Sequence, residues 1–349
     1  MSKLTLICSF YNREQGVLPT LHSIARQRFR DFEAIIIDDG STDGTSALLR
    51  RELQKLADSR LIFRTNVVNV GLTQSLIQAI ASSSTPYIAI HDAGDVSLPD
   101  RLSRQVEMLD ADPTIAAVGC HYINVLPERN LHVMKRPDAS GESFRSILRR
   151  PAFTHGEVAF RRDVYETVGG YRPEFRYAQD NDLWLRMIRV ARFSTVPEIL
   201  YHRMIYASGI SQGPRTFVEQ AAFYTLGRII AQDPHFEHVA LSRLRSGAHI
   251  HEILPLDDAR IQALILRKTL RHMLFGDTEA AKATFAAYSR WAPLKLLKPL
   301  LSIGCRLSAR GHNADGVGLV RTALRIQSGL PWAPLASSPD ELDVSPSTP

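Results

Sequence analysis

Apolar and polar positions alternate in blocks through the first third of the chain, each block long enough for one strand or one helix. Leu4 to Ser9 is a short apolar run. Gly16 to Gln27 places Val17, Leu21, Ile24 and Ala25 at helical spacing, and Phe32 to Ile37 is again continuously apolar. The order then repeats: Thr45 to Ala57 helical, Leu61 to Phe63 apolar, Leu72 to Ala81 helical, Tyr87 to Ile90 apolar, Pro99 to Asp110 helical and Ile115 to Cys120 apolar. Continuous apolar runs predict strands covered on both faces, and a helix between each pair predicts a mostly parallel sheet flanked by helices. Ser97, Pro99 and Asp100 read as cap, first-turn proline and capping acid of the fourth helix.

The pattern changes twice more. From Cys120 to Arg150 it is irregular, with helical spacing only at Ser143 to Leu148; no chemistry is assigned to it. A helix is predicted from about Gln179, with Leu183, Trp184, Met187 and Ile188 on its inward face. Beyond Pro214 helix-length segments dominate: Thr216 to Ala231, His235 to Arg245, Asp257 to Leu274, Thr278 to Tyr288, Pro293 to Leu307 and Asp315 to Gln327. A Ser/Pro-rich acidic tail follows from Leu335, with the composition of a disordered segment. The expected division is a domain at 1–213, a helical region at 214–334 and a tail at 335–349. Trp291 to Arg310 mixes apolar residues with cations, as an interfacial helix or a packed helix with surface lysines would.

Composition adds limits. The chain has 349 residues, 44% hydrophobic and 22% charged, with a formal net charge of +6. Cys8, Cys120 and Cys305 are widely spaced, which argues against a disulfide framework or structural zinc site and fits a reducing, cytoplasmic setting. Leu4 to Cys8 is too short for a signal peptide's core, and no stretch approaches the roughly 20 apolar residues of a membrane span. The positive charge suits a phosphate-bearing ligand or an anionic membrane. Nucleic acid is not expected as a partner, since the arginines do not interleave with aromatics. No Gly-x-Gly-x-x-Gly follows the first strand, which disfavours a dinucleotide cofactor.

The candidate chemistry lies in loops that follow strands, where ligands bind in open α/β sheets. These are Phe10-Tyr11-Asn12-Arg13, Asp38-Asp39-Gly40-Ser41-Thr42-Asp43-Gly44, Asn66-Val-Val-Asn69-Val-Gly71 and His91-Asp92-Ala93-Gly94-Asp95. Asp39 can accept from a base N–H or a ribose hydroxyl, or can cap the following helix as an Asx turn. Asp92 and Asp95 can hold a metal or polar ligand, or the turn's own amides. Asp180 and Asp182 open the helix at Gln179, where the exposed amides and the dipole favour an acid whatever its role.

Four of these runs stand in the order of a known family. Ser9-Phe10-Tyr11-Asn12, Asp38-Asp39-Gly40-Ser41-Thr42-Asp43, Asn69-Val70-Gly71-Leu72 and Asp92-Ala93-Gly94-Asp95 with Ser97-Leu98-Pro99-Asp100-Arg101-Leu102 resemble the motifs of glycosyltransferase family 2, with the GT-A fold. The resemblance covers roughly the first two hundred residues. It implies an inverting transfer from a nucleotide-sugar to a hydroxyl of a saccharide or lipid-linked acceptor. It implies that Phe10, Tyr11, Asn12, Asp39, Gly40, Ser41, Asn69, Gly71, Asp92 and Arg203 line the nucleotide-sugar site. Asp95 with Asp92 would hold Mg²⁺ or Mn²⁺, Asp180 would be the general base, and His155 and Trp184 would face the acceptor. Gly94 replaces the usual middle acid of the metal motif, and Gln179 stands where a glutamate usually precedes the base. The same two departures also suit a catalytically inactive nucleotide-sugar-binding scaffold. His202 is read as a surface or packing residue. The family's habit implies a bacterial surface-polysaccharide pathway, with a peripheral place at the inner face of the plasma membrane.

Overall fold

The computed structural model describes residues 2–206, 214–274 and 278–286. The chain divides after Tyr206 into two compact units. The first holds nine strands, β1 (Leu4–Phe10), β2 (Phe32–Asp38), β3 (Leu61–Thr65), β4 (Tyr87–Ile90), β5 (Val96–Ser97), β6 (Ile115–Leu126), β7 (Leu131–Lys135), β8 (Ala159–Arg161) and β9 (Arg192–Met204). Its helices are α1 (Val17–Ala25), α2 (Thr45–Leu56), α3 (Leu72–Ala81), α4 (Arg101–Ala111), α5 (Phe144–Ile147), α6 (Arg162–Thr167) and α7 (Gln179–Met187).

The sheet runs β3-β2-β1-β4-β8-β6-β9-β5, with β7 on β6. The first four strands in that order are parallel, β8 is antiparallel to both neighbours, and β6 and β9 are parallel to each other. In β1, β2 and β4 nearly every residue is buried, which is why their sequences read as unbroken apolar runs. The loops leaving β1, β2, β3 and β4 therefore emerge at one sheet edge.

Two expectations change. Ile115 to Cys120 is only the inner half of β6: the strand continues to Leu126, then turns through Pro127–Arg129 into β7. Beyond Cys120 most of its residues are half exposed, so the apolar signal fades although the pairing does not. Ser97 does not cap α4; it lies in β5, paired with Tyr201. Asp100 holds the N-cap position without a side-chain cap bond, because its carboxylate takes Arg28 at 2.7 Å.

Trp184 belongs to the core, as its helical spacing predicts, and does not face an acceptor as the resemblance implies. It is fully buried among Phe153, Phe160 and Phe193, with ring centroids 5.6, 5.8 and 6.2 Å away in edge-to-face arrangements. Phe10 is likewise fully buried, so it offers a ligand no side-chain surface.

The second unit contains α8 (Pro214–Ile230), α9 (Pro234–Arg245), α10 (Ile250–Ile253), α11 (Ala259–Leu274) and α12 (Thr278–Ala286). The expected helices at 293–307 and 315–327, the stretch 291–310 and the tail from 335 lie outside the described residues.

Trp184→Ala should destabilise the protein by about 3–5 kcal/mol, the usual cost of deleting a packed aromatic. Urea unfolding of the variant measures it.

Candidate active site

The first three loops are tied into one rim. Asn12 sits in the left-handed region at φ 47°, which asparagine tolerates. Its amide donates to Ser41 Oγ at 3.0 Å, and its side-chain carbonyl accepts the Thr42 amide at 2.8 Å. The Arg13 amide donates to Thr45 Oγ1 at 2.8 Å. Asp39 is buried between the second and third loops, accepting from Asn66 Nδ2 at 2.7 Å, the Val70 amide at 3.1 Å and the Gly71 amide at 2.9 Å. A carboxylate has about four acceptor positions. Three are committed to shaping the third loop. Gly40, at φ 71°, is required twice over, because a Cβ there would meet the Asn69 amide nitrogen at 2.5 Å. Tyr11 and Asn69 are exposed on this rim, as are Val67, Val68 and Val70.

The acid loop follows β4 and is held from several sides. The His91 amide donates to the Ile7 carbonyl at 2.9 Å, continuing the β1–β4 pairing by one residue. Thr20 of α1 accepts from the Gly94 amide at 2.9 Å and donates to the Asp95 carbonyl at 2.9 Å. Gly16 packs backbone to backbone on Gly94, where a Cβ would lie 2.5 Å from the Gly94 Cα. Behind the loop, the fully buried Arg101 donates to the Ile90 carbonyl at 2.7 Å, Ser97 Oγ at 2.9 Å and Gln105 Oε1 at 3.2 Å. Its guanidinium also lies 4.9 Å from the Tyr201 ring centre.

The two acids of this loop differ in surroundings. Asp92 is half exposed, with its amide donating to the Tyr201 hydroxyl at 3.1 Å and its carboxylate 3.7 Å from His155 Nδ1. Burial opposes its ionisation, but His155 and Arg203 outweigh that and hold it below the usual carboxylate range. Asp95 is buried and accepts the Met204 amide at 2.8 Å. Burial first, then the charge of Asp92, pushes it up to about 8, against the opposing pull of the Met204 amide and Arg203. Arg203 itself pays a burial cost that Tyr122, Asp95, Asp92 and Glu157 outweigh, so its pKa is raised.

His155 joins the acid loop to the start of α7. It is buried, with Nε2 2.9 Å from the Tyr171 hydroxyl. Burial would lower its pKa, yet Asp92, then Asp180 and Glu157, raise it overall. Asp180 also acts on Tyr171, as does Asp92. The expected base and the acid loop thus bear on one His155–Tyr171 pair. Among the described residues the Asp180 carboxylate makes no hydrogen bond or ion pair, whereas Asp182 is buried between Arg172 at 3.1 Å and Arg186 at 2.6 Å. Gly156 makes room for this arrangement, since a Cβ there would press on the Tyr201 hydroxyl and on Asp92.

Two neighbouring carboxylates, one of them kept protonated by burial and then by the charge of the other, offer oxygens suited to a hard divalent cation. Among the described residues no group of three or more His, Cys, Asp or Glu could enclose an ion. Any ion here must complete its shell with oxygens of a ligand or water. Tyr171, Tyr201, Arg101 and Arg13 were given no role from sequence. The signals were slight: Arg101 lies four residues from both Ser97 and Gln105, and Tyr171 follows Gly169 and Gly170, both at positive φ.

Asp95 ties pH to stability. The unfolded carboxyl ionises near 3.8 and the folded one near 8, so between those values the unfolded chain has lost a proton that the folded chain keeps. Stability contributed by this group therefore falls as pH rises from about 4 to about 8 and levels off above. Asp95→Asn, which keeps an acceptor for the Met204 amide, should be more stable than the parent at pH 8 and gain little at pH 4. Urea unfolding across that range, without divalent ions, measures the difference.

Comparison with known proteins identifies the family and the fold. Residues 5–169 match the model of Glycosyl transferase family 2. EpsE of Bacillus subtilis strain 168, named as a glycosyltransferase, is 30% identical over 205 residues, covering 57% of this chain and 72% of that protein. The succinoglycan biosynthesis protein ExoO of Rhizobium meliloti is 25% identical over 265 residues, covering 75% of this chain and 69% of that one. The mannosyltransferase PcManGT of Pyrobaculum calidifontis, solved with GDP-Man and Mn²⁺, shares the fold at a TM-score of 0.54 and 21% identity, over 93% of this chain and 86% of that chain. Chain order, sheet topology and these relatives together establish that this protein is a glycosyltransferase of family 2, with a GT-A-type α/β catalytic fold followed by a helical region.

Proposed function

We propose that the protein transfers a sugar from a nucleoside-diphosphate donor to a hydroxyl of a saccharide or lipid-linked acceptor, with inversion at the anomeric carbon. The observation that carries this reading is that Asp180 and the Asp92/Asp95 loop both act on the buried His155. One acid is left without a hydrogen-bond or ion-pair partner among the described residues, while the other two crowd together close by.

In the proposed reaction the acceptor oxygen attacks the anomeric carbon as Asp180 takes its proton. The bond to the donor's diphosphate breaks in the same displacement, and the diphosphate leaves with the bonding pair. The Arg203 charge favours the anion that accumulates on that leaving group. His155 restrains Asp92, and Asp39 sets the backbone of the third loop against which the nucleoside rests. Tyr11, Asn12, Gly40, Ser41, Asn69 and Gly71 form the rim of that pocket. Mg²⁺ or Mn²⁺ held by Asp92 and Asp95, as Mn²⁺ is present in PcManGT, would supply Lewis-acid neutralisation of the diphosphate.

The relatives point to the setting. ExoO is named for succinoglycan biosynthesis, and a bacterial surface polysaccharide is the proposed product class here. No helix among the described residues is long and apolar enough to cross a membrane. A lipid-linked acceptor would be met by peripheral association at the inner face, which the net charge of +6 favours.

Asp180→Asn removes the base and keeps the shape. It should lower turnover about 10²- to 10⁴-fold while donor-nucleotide affinity stays within error. Single-turnover assays over a panel of UDP-, GDP- and dTDP-sugars, with parallel calorimetry of nucleotide binding, test both halves. Undiminished turnover would remove Asp180 from the role.

A further inference from the structure

The acid loop has one position without a side chain, and a cation stands over it. Gly94 lies between Asp92 and Asp95 at φ 99°. A Cβ on Gly94 would meet Arg13 Nε at 2.9 Å, Nη2 at 3.3 Å and Cζ at 3.5 Å. The Arg13 guanidinium therefore covers the face of the loop that a side chain at 94 would occupy. Its other flank is the Tyr206 ring, 4.5 Å from Cζ. Backbone contacts fix the base of the side chain, since the Arg13 amide is bound to Thr45 and Gly16 packs on Gly94.

The charge on this guanidinium is not consumed by any of the described residues. Among the described residues Arg13 has no carboxylate in ion-pair distance. Its neighbour Glu14 is spent elsewhere, with its carboxylate against Gly44 at the start of α2. Arg13 is half buried, held between the Tyr206 ring and Gly94, the glycine of the loop that carries Asp92 and Asp95. A planar guanidinium presents paired N–H donors that match phosphate oxygens, and an aromatic ring behind it keeps the plane fixed.

We propose that Arg13 is a ligand of the donor's diphosphate, a fixed cation laid over Gly94, so that the leaving group is bound substantially without a divalent ion. This rests on the nucleoside-diphosphate reading of the site and deepens it. In this arrangement the missing middle acid of the loop is a gain of access: a carboxylate at 94 would displace the guanidinium or pair with it.

Isothermal titration of UDP, GDP and inorganic pyrophosphate tests the assignment, with parent, Arg13→Met and Arg13→Lys proteins, each in EDTA and in excess Mn²⁺. The parent should bind all three in EDTA. Arg13→Met should weaken each by a similar factor, about 10- to 100-fold, as expected for loss of a charge-assisted contact. The loss should be smaller in Mn²⁺, and Arg13→Lys should recover part of it. If Arg13→Met melts well below the parent, the lysine variant carries the comparison, because it keeps the stem and the charge and loses only the fork. Equal affinity of parent and variants in EDTA would overturn the role of Arg13 and leave the transferase reading standing. A parent that binds only in Mn²⁺ would do the same. A loss confined to the nucleotides, sparing pyrophosphate, would place Arg13 on the nucleoside and overturn the phosphate contact. No nucleotide binding by the parent in either condition would overturn both readings.

Discussion

A single buried cation organises the catalytic unit. Arg101 has no exposed surface, and all of its hydrogen bonds go to neutral acceptors: the carbonyls of Ile90 and Val158, Ser97 Oγ and Gln105 Oε1. A charge in such a place is tolerated only if its donors are filled, since leaving them empty costs several kcal/mol. The acceptors are therefore obligatory positions. Ile90 ends β4 and Ser97 follows the acid loop, so the guanidinium grips both ends of the segment that carries Asp92 and Asp95. Val158 follows the turn of His155, Gly156 and Glu157, which brings the second acid-bearing region to the same anchor. Burial, with the Arg101 charge adding to it, also drives the His91 pKa down to about 3, so that ring packs as a neutral group against Tyr201.

Around that anchor burial works against the ionised form of two acids. Asp95 is pushed up to about 8 and Glu157, fully buried, to about 7. Both values mean that folding works against ionisation at these positions. Groups arranged for a ligand's charge are poorly arranged for the empty fold, a common trade between stability and function. Asp182, two residues from Asp180, is paired with two arginines, whereas Asp180 has no ion pair among the described residues. Position on a helix N-terminus alone did not distinguish them.

How much of this was legible in the residues depended on the range of the interaction. Strands β1, β2 and β4 announce themselves because burial on both faces leaves unbroken apolar runs, and the motif order around them led to the family. Helical spacing already put Trp184 on an inward face, and the packing of Phe153, Phe160 and Phe193 around the indole agrees with it. Motif position alone did not separate the buried Phe10 from its exposed neighbour Tyr11. Asp39 was read as free for a nucleoside or committed to its own turn, whereas its partners lie 27 to 32 residues away in the third loop. Asp100 was read as the capping-box acid because the local sequence suits one, but an arginine 72 residues distant holds its carboxylate. The outer half of β6 escaped notice for the opposite reason: its pairing is regular while its burial is not.

The third loop has a consequence for redesign. Its course is set by the Asn66 side chain and by the backbone amides of residues 70 and 71, all gripped by Asp39, so the valine side chains at 67 and 68 contribute nothing to that grip. They project outward on a frame that does not need them, with Val67 98% exposed. A combinatorial library confined to these two codons would vary the chemistry of the rim while leaving its shape intact.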